Sequence, residues 1–364
     1  MLSLQRMHAA IFYGPNNIAN EEINCDYHEG REVLLRVKAC AICGYDVGVF
    51  RNGHQKVKPP IILGHEIAGE INSDVRLERH GGIAKTIEAG SRVSISPISP
   101  CLECYYCSTK NYNLCSAKKE IGSTLDGGFA EFVRVPESIV RTGGLTLVPD
   151  NLSNEEAALI EPLACCLNGF SQLGPVDKDS TVAIIGDGPI GLLHLQLSNN
   201  LYQNRTIVVG KIQQRLDMAR SLGASATVMA GNSSEVYTKK DVEEILGFTN
   251  GVGVGAVIIA TSDPASVKFA LKIASKNSRI NLFAGMPQGS SILLDTNMLH
   301  YNQISITGSF SSTPVTLEQA AMLASNRIID LSKMITHRYS LADIGEALLA
   351  TENYYGLRVV INKF

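Results

Sequence analysis

The sequence predicts an α/β protein in which a β-rich unit is interrupted by a doubly wound unit with a parallel sheet. Three observations predict it. Up to about residue 150, short strand-like runs are separated by Gly, Pro and Asn. From about residue 155, apolar runs with no polar alternation alternate with helix-like segments. After about residue 300 the chain returns to mixed character. The 364 residues amount to roughly two domains. The boundaries expected are 1–154 with 300–364 for the β-rich unit and 155–299 for the doubly wound unit, with a cysteine lobe at about 97–118.

Taken in order, Glu32 to Lys38 reads as a half-buried strand, because Val33, Leu35 and Val37 recur with a period of two. Thr181-Val182-Ala183-Ile184-Ile185 has no alternation, the pattern of a strand buried on both faces. Thr206 to Val209 reads as the next strand, and Ile212, Leu216, Ala219 and Leu222 then fall on one helical face. Ala256 to Ala260 and Arg279 to Phe283 read as further strands, with a helix between Pro264 and Ala274. An amphipathic segment at Leu317 to Asn326 and a strand at Leu357 to Ile361 complete the chain.

Composition excludes several classes of protein. Apolar residues make up 45% and charged residues 18%, so the chain can bury a core and is not disordered. The net charge of −3 has no basic block behind it, which argues against a nucleic-acid partner. Met1 to Pro15 has no apolar signal region and no run is long enough to span a bilayer, so no membrane association and a cytoplasmic location are expected.

Four of the nine cysteines crowd into one loop as Cys101, Cys104, Cys107 and Cys115, spaced C-x2-C-x2-C-x7-C. Four thiolates in so short a loop can converge tetrahedrally on zinc. Such a closed site has no open position, so its role is structural. Disulfides or buried free thiols explain the crowding less well.

Gly186-Asp187-Gly188-Pro189-Ile190-Gly191 follows the buried strand and opens a helix, the context that gives G-x-G-x-x-G its meaning. Gly186 and Gly188 permit the turn and the approach of pyrophosphate, Gly191 lets helix pack on strand, and Pro189 and Ile190 begin the helix whose N-terminus faces the phosphates. About twenty residues on, where NAD enzymes usually present an acid to the ribose, this chain has Gly210-Lys211. Without that carboxylate, Lys211 and Arg215 can supply charge to a 2′-phosphate, so NADP is expected somewhat more than NAD. The bland reading of Lys211 is a solvated surface lysine.

Other motifs are weak singly: Cys43-Gly44-Tyr45-Asp46, Gly64-His65-Glu66, Gly127-Gly128-Phe129-Ala130-Glu131 and Glu161-Pro162-Leu163-Ala164. In this order, with the cysteine lobe and the glycine motif, the chain resembles the zinc-containing medium-chain dehydrogenases, nearest their polyol and threonine dehydrogenase branch. The resemblance implies a GroES-like catalytic domain around a Rossmann domain. It also implies a catalytic zinc held by Cys43, His65 and Glu161, with Glu66 as a ligand that comes and goes, Asp46 orienting His65, and Arg358 near the cofactor phosphates. Zinc's Lewis acidity would favour loss of an alcohol's proton. The reaction implied is oxidation of a secondary alcohol (a polyol, sugar alcohol or cyclitol) to a ketone, in a homodimer or homotetramer.

Tyr45 departs from the Ser or Thr usual in relatives, and it either takes over the proton relay or fills the pocket. Gly48 stands where relatives often have a relay histidine, with His54 the candidate substitute. Asn72 to Ala89 departs from the usual short hairpin. His194 reads as a core or surface residue, and Cys165 and Cys166 as packing residues near Glu161. The rival functions are a threonine or aminocyclitol dehydrogenase, and a zinc- and nucleotide-binding protein without turnover.

Overall fold

The computed structural model describes residues 2–28, 32–77, 85–231, 236–353 and 356–364. In chain order the elements that position the site begin with β1 (Glu32–Ala41), α1 (Gly44–Asn52), β2 (Glu66–Ile71), β3 (Arg92–Ile95), β4 (Phe132–Pro136), β5 (Leu145–Leu147) and α2 (Ile160–Leu173). Next come β6 (Thr181–Ile185), α3 (Pro189–Gln196), β7 (Arg205–Gly210), α4 (Gln213–Ser221), β8 (Ala226–Met229) and β9 (Val254–Ile259). The last are α5 (Ala265–Ile273), β10 (Ala274–Leu282), β11 (Ser305–Gly308), β12 (Ile335–Ser340) and β13 (Arg358–Lys363).

The chain divides into two compact units, Met1–Cys165 with Ser311–Phe364, and Cys166–Phe310. Both junctions lie eleven residues beyond the sequence boundaries (165 against 154, and 310 against 299). The first moves because α2 is one continuous helix that runs through it. The second moves because β11 lies beyond residue 300 yet pairs in parallel with β10, from Arg279↔Ser305 to Leu282↔Gly308. Its four residues are exposed or half-buried, so they lack the apolar run by which interior strands are recognised.

In the first unit, β1 is the hub of a seven-stranded sheet. It pairs antiparallel with β2, β4 and β13, while β3 and β5 extend the β2 side and β12 runs parallel to β13. Leu34 is buried along with Leu35 and Val37, so both faces of this strand are covered there and the simple alternation fails. The sheet's core contains Leu34, Leu35, Val37, Ile67, Ile71, Val93, Phe129 and Val133. Within 72–89, Val75–Leu77 and Lys85–Ile87 pair antiparallel, and residues 78–84 lie outside the described residues.

The second unit is a six-stranded, all-parallel sheet in the order β8-β7-β6-β9-β10-β11. This is the doubly wound order in which strand direction of winding reverses beside the first strand, and ligands bind at the carboxyl ends of the strands at that point. All five residues of β6 are buried, as are the last five of β7. Among the described residues, no helix is long and apolar enough to cross a membrane.

Candidate active site and metal centres

The lobe cysteines converge. Cys104 Sγ lies 3.6 Å from Cys107 Sγ, Cys115 Sγ 3.4 Å from Cys101 Sγ, and Cys101 Sγ 4.0 Å from Cys107 Sγ. Disulfide sulfurs stand about 2.05 Å apart, whereas the edges of a tetrahedron with Zn–S bonds of about 2.3 Å are about 3.8 Å. The four thiol sulfurs lie within 4.8 Å of one another. Backbone N–H groups of Ser116 and Cys107 bring the Cys104 thiol down to about 6, which favours the thiolate a metal needs. Both spacing and chemistry fit zinc.

The second constellation is built by Asp46, which is fully buried on the first turn of α1. Its Oδ2 accepts a hydrogen bond from the backbone N–H of Cys43 at 2.8 Å, and its Oδ1 accepts one from the backbone N–H of Gly64 at 3.2 Å. His65 Nδ1 stands 3.4 Å from the same Oδ1. One carboxylate therefore ties the start of a helix to the loop entering β2, and turns the imidazole so that Nε2 is left for another partner. Cys43, His65 and Glu66 each offer a ligand atom within 4.8 Å of the others.

Glu66, the first residue of β2, is 1% exposed. Its Oε1 receives Arg358 Nη1 at 3.0 Å, and Oε2 is buried with no hydrogen-bond partner among the described residues. Burial pushes this carboxyl up to about 7, with Arg358 opposing the shift. A buried carboxylate oxygen without a donor is costly unless a cation satisfies it, so the donor set of sulfur, imidazole nitrogen and carboxylate oxygen fits zinc. Arg358 is buried on β13, ion-paired with Glu66 and donating to the Ile42 carbonyl at 3.2 Å. The resemblance places it by the cofactor phosphates; here its partner is the Glu66 carboxylate.

Glu161 is buried near the start of α2, and its Oε1 accepts a hydrogen bond from Cys165 Sγ at 3.2 Å, one helical turn on. It stands outside the 4.8 Å group of Cys43, His65 and Glu66. Burial pushes its carboxyl up, with His65 and Arg358 acting against that. Cys166 is fully buried and packs in the second unit.

Tyr45 makes contacts that its position in the sequence does not announce. Its hydroxyl is 2.9 Å from Ser123 Oγ, and its ring meets His54 and His65 edge-on at centroid distances of 5.6 and 5.8 Å. Ser123 is buried and carried no signal in the sequence, because nothing local distinguishes it from any other loop serine.

In the second unit, Gly186, Gly188, Pro189, Ile190 and Gly191 form the turn from β6 into α3, with Gly188 as N-cap and Pro189 in the first turn. A Cβ on Gly191 would lie 1.9 Å from the Gly186 carbonyl oxygen, so only glycine lets this helix start so close to the strand. In front of Gly188 a Cβ would meet nothing closer than Arg215 Nη1 at 3.9 Å, leaving a cradle that fits a phosphate group. Gly210 ends β7, and Lys211 Nζ lies 3.8 Å from Asp263 Oδ2. Arg215 is buried on α4. His194 on α3 is fully buried, packed against Phe170 and Phe283, and among the described residues neither ring nitrogen has a hydrogen-bond partner.

A two-unit fold with one closed and one open candidate metal centre, plus a glycine turn for a dinucleotide, defines a zinc-binding oxidoreductase. Comparison with known proteins agrees. Residues 29–143 match the alcohol dehydrogenase GroES-like domain, and residues 189–326 match the zinc-binding dehydrogenase domain. The chain is 33% identical to the D-arabitol-phosphate dehydrogenase of Enterococcus avium, covering 87% of this chain and 85% of that one. It is 30% identical to the sorbitol dehydrogenase of Bacillus subtilis, covering 94% and 93%. The crystal structure of a zinc-binding dehydrogenase from Sinorhizobium meliloti bound to NADP is 29% identical, superposes with a TM-score of 0.85, and covers 98% of this chain and 99% of that one. The chain belongs to the zinc-binding alcohol and polyol dehydrogenase family and is an NAD(P)-linked enzyme of that class.

Proposed function

We propose that this enzyme oxidises a secondary alcohol of a polyol, sugar alcohol or cyclitol to the ketone, passing hydride to a nicotinamide dinucleotide and releasing a proton. The observation that carries this reading is the meeting of Cys43, His65 and a carboxylate oxygen of Glu66 within 4.8 Å. Cys43, His65 and Glu66 would hold a catalytic zinc together with Glu161, and Cys101, Cys104, Cys107 and Cys115 a structural one. When bound, the metal supplies Lewis acidity that lowers the pKa of the substrate hydroxyl, and the nicotinamide accepts the hydride.

The remaining work falls to the chain itself. Asp46 fixes the tautomer of His65 through Nδ1, and Arg358 holds one oxygen of Glu66 while leaving the other free. Tyr45, tied to Ser123, shapes the space beside His65 and offers a hydroxyl to the alcohol proton. The substrate class is supported by the sorbitol and arabitol-phosphate dehydrogenases among the relatives and by the carboxylates in the donor set. The test is absorbance at 340 nm with zinc-loaded protein, NAD and NADP supplied separately, across polyols, cyclitols, threonine and simple secondary alcohols. Reduction with polyols or cyclitols is expected; turnover of threonine alone, or of nothing in the presence of bound zinc and nucleotide, overturns the reading.

A further inference from the structure

Strand β7 ends without the acidic residue that usually meets the adenosine ribose, yet a carboxylate is present at that spot. It comes from Asp187, the second residue of the glycine motif. Asp187 Oδ2 accepts hydrogen bonds from the backbone N–H groups of Lys211 and Ile212, each at 2.7 Å. A Cβ built on Gly210 would lie 2.4 Å from Asp187 Oδ2 and 2.5 Å from its Cγ. The carboxylate thus fills the volume that a side chain at position 210 would enter. Glycine at 210 is the condition for Asp187 to reach across, rather than a sign that negative charge is missing.

The neighbouring charges agree. Among the described residues, Asp187 Oδ1 has no hydrogen-bond partner, so it remains to accept from a ligand. Lys211 is directed to Asp263, and the Arg215 guanidinium lies by Gly188, the glycine that admits pyrophosphate. Burial pushes the Tyr237 phenol up, and the charges of Asp263 and Asp187 add to the shift. A ribose with a free 2′-hydroxyl would donate to Asp187, whereas a 2′-phosphate would meet like charge at close range.

We propose that Asp187 is the ribose-reading residue of this enzyme and that it selects NAD over NADP. The proposal rests on the dehydrogenase reading above and reverses the preference expected from Gly210-Lys211 alone.

The experiment is isothermal titration of the zinc-loaded full chain with NADH and with NADPH, which reads binding rather than turnover. Wild type is expected to bind NADH at least about tenfold tighter, the scale of a hydrogen bond to a charged group. Asp187→Asn keeps an oxygen for the two backbone donors while removing the charge, and is expected to erode the ratio by about tenfold. Asp187→Ser, smaller but still an acceptor, should move it the same way, and serves if the amide variant unfolds. Lys211→Ala is expected to leave both dissociation constants within about twofold. Tighter binding of NADPH by wild type, or an unchanged ratio in folded Asp187 variants, overturns this assignment alone. Binding of neither nucleotide overturns it together with the dehydrogenase reading.

Discussion

Asp46 shows how much one buried side chain can organise, since it holds the Cys43 backbone, the Gly64 backbone and His65 at once. Asp46→Ala is expected to weaken zinc binding at the open centre by about 10–100-fold, measured by chelator competition, while the cysteine lobe keeps its metal. Tyr45→Phe retains the ring against His54 and His65 but deletes the hydroxyl bonded to Ser123. It is expected to slow alcohol oxidation by about 10²-fold with zinc content unchanged; an unaltered rate would leave Tyr45 as pocket lining. His194 makes a prediction about pH. Burial holds its imidazole down to about 3, so the folded chain keeps it neutral, while the unfolded chain protonates it below about 6.5. Above about 6.5 the two states bind no proton and nothing is lost; as pH falls from there towards 3, stability declines by up to about 1.4 kcal/mol per unit. His194→Leu should flatten that acid limb in a series of denaturant melts.

At the scale of elements, helices and strands place these side chains through their ends. Cys43 is the N-cap of α1, Glu66 the first residue of β2, and Asp187 lies in the turn between β6 and α3. Ends carry the backbone donors that have no partner in the element itself, which is why carboxylates gather there. The short helix Asn154–Ala158, just ahead of α2, shows the same device without chemistry. Ser153 accepts from the Glu156 N–H, Glu156 Oε2 accepts from the Ser153 N–H, and Arg327 pairs with Glu156. Ser153→Ala is expected to cost about 1 kcal/mol, read as a lower denaturation midpoint with an unchanged slope.

For the whole molecule, the lobe's four cysteines should account for half of the bound metal. Cys101→Ser and Cys107→Ser are each expected to lower zinc from two equivalents to one and to reduce thermal stability, with nucleotide binding retained. Much of this architecture was legible in the sequence because its signals are local. The apolar run Thr181–Ile185 and the glycine motif after it identify a buried parallel strand and its turn, and four cysteines within fifteen positions can converge on one point, whatever the rest of the chain does. The unit boundaries were less legible, since β11 is an edge strand with little apolar surface, and strand pairing, not composition, assigns it to the sheet. Arg358, Ser123 and Asp187 belong to the same category. Arg358 is sequence-distant from Glu66, Ser123 from Tyr45, and Asp187 from Lys211, and their separations of 292, 78 and 24 residues are closed only by the fold. By itself the sequence determined which chemical groups exist and which strands and turns carry them, because backbone propensity and ligand spacing act over a few residues. Only the tertiary structure decided which charge meets which, because hydrogen bonds and ion pairs depend on distances of about 3 Å that no linear spacing encodes.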